Sequence, residues 1–160
     1  MSILGTAIFD ETGQYRYTLT RSWSSLENNG IVNWIMLNPS TADEFQDDPT
    51  IRRCISFTKE WGYNGLIITN LYAFRSTDPN VLLGVEDPIG KDNITHIIDA
   101  VSQSKLTIGA WGAFKIGVPD EIYDILTQIE LWCLGTTKSG CPKHPLYVKG
   151  TTKPQRLILP

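Results

Sequence analysis

The apolar positions of this chain fall into short runs separated by polar, glycine- and proline-rich breaks, and the runs follow two periods. Thr6 to Asp10 and Tyr15 to Arg21 alternate in character around Glu11-Thr12-Gly13-Gln14, which predicts an antiparallel hairpin. Ile31 to Leu37, Gly65 to Leu71, Lys105 to Ala110 and Ile129 to Leu134 are nearly continuous apolar runs, the signature of strands buried on both faces. Between them the spacing turns helical. Ile51, Cys54, Ile55, Phe57 and Trp61 predict a helix over Thr50 to Trp61, with Asp47-Asp48 and Pro49 supplying the cap and first turn and Gly62 the stop. Ile94, Ile97, Ile98 and Val101 predict a second helix over Asp92 to Ser102, with His96 exposed beside the stripe, and Pro119 opens a third that runs to Gln128. Ser76 to Gly90 is too polar and broken for a helix and has the length of a lid or binding loop. The segment after Gly135, rich in glycine, proline and lysine, reads as loop with a short terminal helix or strand.

A hairpin followed by four strand segments with helices between them predicts a three-layer α/β/α fold. Its central sheet is expected to be four-stranded and mostly parallel, with the N-terminal hairpin at one edge, in a single domain over residues 1–160. In open α/β sheets the ligand crevice lies outside the carboxyl ends of the strands. Those ends deliver Asn38, Asn70, Trp111 and the loop bearing His144 to one edge.

Composition narrows the function. The 160 residues carry a net charge of −3, with 41% hydrophobic and 19% charged, an ordinary balance that disfavours extended DNA binding, which normally needs a basic face. The three cysteines, Cys54, Cys133 and Cys141, are widely spaced and form no CxxC pair, so neither a disulfide framework nor a zinc site is expected. A cytoplasmic location follows from the cysteine usage, the absence of a signal-peptide pattern and the absence of an apolar run near the ~20 residues of a membrane span. No GxGxxG, GxxxxGK[ST] or GxSxG motif occurs, and the two histidines are far apart; no metal or cofactor is expected.

The residue types at the strand ends suit a planar, hydrogen-bonding ring. An asparagine offers donor and acceptor to a base edge, Tyr72 or Phe74 can stack on the ring, and His144 can donate to an oxygen that turns negative as a base leaves its sugar. Asp43 is placed to orient water. Strand-end asparagines also commonly cap turns, and a histidine beside proline is commonly structural. Tyr15, Arg16, Tyr17, Arg21 and Trp23 form an aromatic and basic cluster that either touches an anionic or planar ligand or packs across strands with solvated arginines. Arg52 and Arg53 lie at the wrong end of their helix for cations; a phosphate, solvation, or Asp47 and Asp48 would each account for them.

IMLNPSTAD, DDPTIRRC, WGYNGLIITNLYAFRSTDP, DPIG, AWGA and the TKSG and PKHPLYV segments, in this order, resemble the bacterial and phage family called domain of unknown function 1643 over essentially the whole chain. More distantly, the chain resembles the uracil-DNA glycosylase superfamily. Leu37-Asn38-Pro39-Ser40 is similar to that superfamily's water-positioning first motif, and Gly65 to Asn70 to its second strand, whose last asparagine reads the base. Ile108 to Gly112 is similar to its third strand, and His144-Pro145-Leu146 to the motif whose histidine supports the departing base. Asn38 stands where the most active members carry aspartate, and an amide holds water without taking its proton. His144-Pro145-Leu146-Tyr147 lacks the serine-rich continuation that grips DNA phosphates in that superfamily.

The resemblance implies a protein that recognises a nucleobase or nucleotide. Hydrolysis of an N-glycosidic bond would use Asn38, Asp43 and His144, with Pro39, Ser40, Arg52, Asn70, Tyr72, Phe74, Trp111, Lys143 and Tyr147 around the ligand. In duplex DNA Leu146 or Tyr147 would act as the wedge. The alternative is a non-catalytic protein that binds a free nucleotide-derived ligand or a protein partner, with Arg52, Arg53, Arg75 and Lys143 serving phosphates.

Overall fold

The computed structural model describes residues 2–160. Ten regular elements follow in order: β1 (Ile3–Phe9), β2 (Arg16–Trp23), β3 (Ile31–Met36), α1 (Pro49–Glu60), β4 (Gly65–Asn70), α2 (Asn93–Gln103), β5 (Leu106–Gly109), α3 (Asp120–Leu126), β6 (Leu131–Cys133) and β7 (Gln155–Arg156). Two 3₁₀ segments, Pro79–Gly84 and Pro145–Tyr147, interrupt the loops.

The strands form one seven-stranded sheet in the order β1-β2-β4-β3-β5-β6-β7. This corrects the expected four-stranded, mostly parallel sheet. β4, β3, β5 and β6 do pair in parallel, but β1 with β2, β2 with β4 and β6 with β7 pair antiparallel, half of the six pairings. The hairpin lies at one edge of the sheet, as expected, and is part of it: Leu19 to Ser22 ladder onto Gly65 to Ile68, and most of β2 is buried. Of the short terminal helix or strand expected after Gly135, the structure has the strand, β7, whose two exposed polar residues, Gln155 and Arg156, carry no apolar signature to place it. The Arg156 guanidinium lies 5.6 Å from the Trp132 ring centre in the strand it pairs with.

Alternation along β3 sends side chains to two cores on opposite faces. Val32, Trp34 and Met36 join Cys54, Ile55 and Phe57 of α1, together with Leu66 and Ile68 of β4. Ile35 joins Ile97 of α2, Ile122 and Leu126 of α3, and Leu131 and Cys133 of β6. Helices therefore cover both faces. Helix α1 begins where the pattern placed it because the Asp48 carboxylate accepts the Ile51 N–H at 2.8 Å and Pro49 occupies the first turn. Its polar Thr58 is buried at no net loss, since its hydroxyl donates to the Cys54 carbonyl and accepts the Trp34 indole N–H at 3.0 Å. His96 is not simply exposed: its ring stacks on Tyr17 at 4.9 Å. No helix among the described residues is long and apolar enough to cross a membrane.

Candidate functional site

Beyond the carboxyl ends of β3, β4 and β5 lies a cavity of about 190 Å³. It is lined by Arg16, Met36, Asn38, Ser40, Asp48, Asn70, Trp111 and His144 among others. Its floor holds Asn70, the last residue of β4, which is fully buried. Neither Asn70 Nδ2 nor Oδ1 has a hydrogen-bond partner in the protein. Leaving a buried polar group unpaired costs about 1–3 kcal/mol, and native proteins carry few such groups. The backbone here is held firmly. Asn93, at the start of α2, donates through Nδ2 to the carbonyls of Asn70 at 2.9 Å and Leu71 at 3.3 Å. The backbone that carries the side chain is thus anchored, while the amide's full hydrogen-bonding capacity is unspent.

Arg16 enters from the start of β2, with only 2% of its surface exposed. Its Nη1 donates to the Ala42 carbonyl at 2.8 Å, across the end of the sheet, while its Nε has no protein partner. Burial pushes the guanidinium down to about 10, with Asp48 the strongest opposing charge, so it stays cationic at neutral pH. The Asp48 carboxylate sits on the same cavity while capping α1. His144 lines the same cavity. Its Nδ1 accepts the Leu146 N–H at 3.2 Å, which leaves the neutral ring's proton on Nε2 as a donor. Burial holds its pKa below the ordinary 6.5.

Trp111 forms a wall, and its placement depends on a missing side chain. A Cβ on Gly109 would lie 2.7 Å from the Trp111 ring, so only glycine at the end of β5 lets the indole fold back over the strand. Leu37, Pro79, Trp111 and His144 also line a wider cleft of about 500 Å³ that carries Phe114, Lys143 and Tyr147. A third, apolar cavity of about 250 Å³ shares Leu37 and Trp111 and reaches Cys141 and Pro160.

The structure thus gathers Asn38, Pro39, Ser40, Asn70, Trp111 and His144 at one cavity and places Lys143 and Tyr147 in the adjoining cleft. Asn38 works partly as a clamp, its Nδ2 donating to the carbonyls of Pro39, Phe74 and Ser76. Asp43 does not line the cavity. Its Oδ1 accepts the N–H groups of Phe45 and Gln46, both at 2.8 Å, and these bonds hold its pKa low. Tyr72 is buried in the α2 and α3 core with its hydroxyl donating to the Gly117 carbonyl, and Phe74 packs edge-on against Tyr15. Arg52 is exposed and reaches only the Asp47 carbonyl, at 3.4 Å.

Three further arginines predicted near phosphate or solvent are structural. Arg53 donates to the carbonyls of Pro145 and Val148 and so ties the His144 loop to α1. Arg75 donates to the Gly13 carbonyl and lies over Phe9. Arg21 pairs with Asp47 at 2.8 Å and, like Arg16, is buried rather than solvated. Sequence reasoning named Arg16 only within the hairpin cluster, as a ligand contact or a solvated arginine, and missed the places of Asp48 and Asn93 in or beneath the cavity. For Arg16 a further signal was its position opening a strand whose next residues, Tyr17 to Leu19, look buried.

Every residue lining the 190 Å³ cavity falls between positions 16 and 144. The family model described as protein of unknown function (DUF1643) matches residues 16–146, most of the chain. The chain belongs to the DUF1643 family. The DUF1643 match therefore spans the complete wall of the cavity, from Arg16 to His144. No curated protein and no solved structure matches the chain.

Proposed function

We propose that this DUF1643 protein recognises a nucleobase or the base of a nucleotide in the 190 Å³ cavity, in the manner of the uracil-DNA glycosylase superfamily. The observation that carries the reading is Asn70, a fully buried amide with both polar atoms unpaired by protein, on the floor of a cavity lined by an indole and an imidazole donor. An amide presents one donor and one acceptor side by side, the complement of a lactam edge. The volume, below the range usual for drug-sized ligands, suits a single ring. A ligand edge that pairs with Asn70 removes a cost the free protein bears.

If the bond to the sugar is cleaved, His144 Nε2–H donates to the base oxygen that gains charge, and Asn38 holds the water. Asp48 is the carboxylate that lines the cavity, whereas Asp43 is committed to its own turn. A second reading, binding without turnover, is favoured by the amide at position 38 and by the use of the Asp48 carboxylate as a helix cap. With a net charge of −3, the ligand proposed is a base, nucleoside, nucleotide or short single strand rather than an extended duplex.

The test is thermal stability against a panel of those ligands, in the wild type and in Asn70→Ala and His144→Ala, followed by chromatography for released base. A ligand at a hundred times its Kd adds about 2.7 kcal/mol of stability. Stabilisation lost in both variants supports the reading, and released base selects the enzyme over the binding protein. A panel without any shift in the wild type refutes it.

A further inference from the structure

Arg16 and Arg21 lie on the same strand, are equally buried, and are used very differently. Arg21 donates through all three nitrogens, from Nε to Asp47 at 2.8 Å and from Nη1 and Nη2 to the carbonyls of Thr20, Asp43 and Gln46. Arg16 donates to one protein acceptor, the Ala42 carbonyl, and its Nε has none. No carboxylate among the described residues pairs with it; the ion pairs are Arg21 with Asp47 and Arg156 with Glu130. A buried cation without a hydrogen-bonded counter-ion is costly, and buried charges are normally paired. The charges that surround Arg16 are Asp48 and Asp43 on one side of the balance and Arg21 and Arg75 on the other. Asp48 is nearest in effect, yet its carboxylate is engaged by the Ile51 N–H at the start of α1. His144 is the other titratable group on the cavity.

We infer that the cavity takes an oxo-heterocycle bearing one negative charge, with Arg16 as its counter-ion and Asn70 reading the ring edge. The inference rests on the nucleobase reading of the same cavity and adds the charge state of its ligand. A phosphate dianion is disfavoured because the Asp48 carboxylate shares the small cavity. A single charge delocalised over a ring that has lost an acidic N–H, or carried on a ring carboxylate, meets Arg16 through charge-assisted hydrogen bonds, about twice as strong as neutral ones.

Three probes separate these sources: uracil, neutral at pH 8; 6-azauracil, of the same shape with a more acidic ring N–H; and orotate, which carries a carboxylate. Calorimetric titration of the wild type at pH 8 is expected to give at least one anionic probe a Kd roughly tenfold or more below that of uracil. Preference for 6-azauracil assigns the ring anion, and preference for orotate assigns the carboxylate. Arg16→Gln brings the ratio to about one, its residual uracil binding proving that the site is folded. Asp48→Asn, which keeps a good helix cap, raises the ratio and serves as the test if Arg16→Gln does not fold. Equal affinities in the wild type, an unchanged ratio in Arg16→Gln or in Asp48→Asn, or no binding of any probe overturns the inference. Uracil bound with a ratio near one, and lost in Asn70→Ala, would remove the charge assignment and leave the nucleobase reading standing.

Discussion

Replacing Asn70 by leucine should make the ligand-free protein more stable while abolishing its ligand response. The amide is fully buried and neither of its polar atoms is paired by protein, so the substitution removes two groups each costing about 1–3 kcal/mol and breaks no side-chain hydrogen bond. Leucine is somewhat larger, and Asn70 borders the 190 Å³ cavity, which offers room for the excess. A net gain of about 1–3 kcal/mol is expected after some loss to imperfect packing. At about 2–4 °C per kcal/mol for a chain of this size, Tm rises by roughly 2–12 °C. Urea denaturation followed by tryptophan fluorescence gives the free energy directly, and an unchanged m-value shows that the unfolded state is not the cause. A leucine variant less stable than wild type by 1 kcal/mol or more would refute the reasoning, because it would mean that the Asn70 amide holds the fold together.

Three further outcomes are expected. Because burial holds the folded pKa of His144 below 6.5, the unfolded chain binds its proton first as pH falls. The stability His144 confers over His144→Gln is therefore fully present above pH 6.5 and declines below it, and a rise on acidification in urea midpoints would contradict this. Arg53→Ala removes two donations from a cationic side chain to the Pro145 and Val148 carbonyls and should cost about 1.5–3 kcal/mol; hydrogen exchange should show the loosening centred on residues 144–148. Asp43→Ala should cost about 1 kcal/mol through its lost turn bonds and leave ligand affinity unchanged; a tenfold loss of affinity would return Asp43 to the site.

What could be read from sequence was whatever repeats along the chain. Ile31 to Met36 and Gly65 to Asn70 are apolar on both faces because they are central strands, and helix α1 follows from Asp48, Pro49 and the Ile51-Cys54-Ile55 spacing. Asn38, Asn70, Trp111 and His144 reached one edge because parallel strands joined by helices end on the same side. The flanks were harder. β7 is too short to show a period, and the hairpin's pattern shows that its strands pair without revealing that β2 also ladders onto β4. Side-chain destinations were out of reach for a related reason. Asp43 and Asp48 are both acidic residues in one polar loop, and only the course of the backbone turns one onto its own turn and the other toward the cavity. Arg16 needed the sheet order itself, since it reaches the site only because the hairpin lies beside β4.

The wall of the cavity draws on β2, on the ends of β3 and β4, on the segments that follow β3, β4 and β5, on the first turn of α1 and on the loop before Pro145. Contacts of such long sequence separation form late in folding, because loop closure must precede them. No hairpin, βαβ unit or other partial assembly of the chain possesses this cavity. A ligand held there binds the completed sheet and not its parts, so it slows exchange at the most protected amides of the central strands as well as at the cavity mouth.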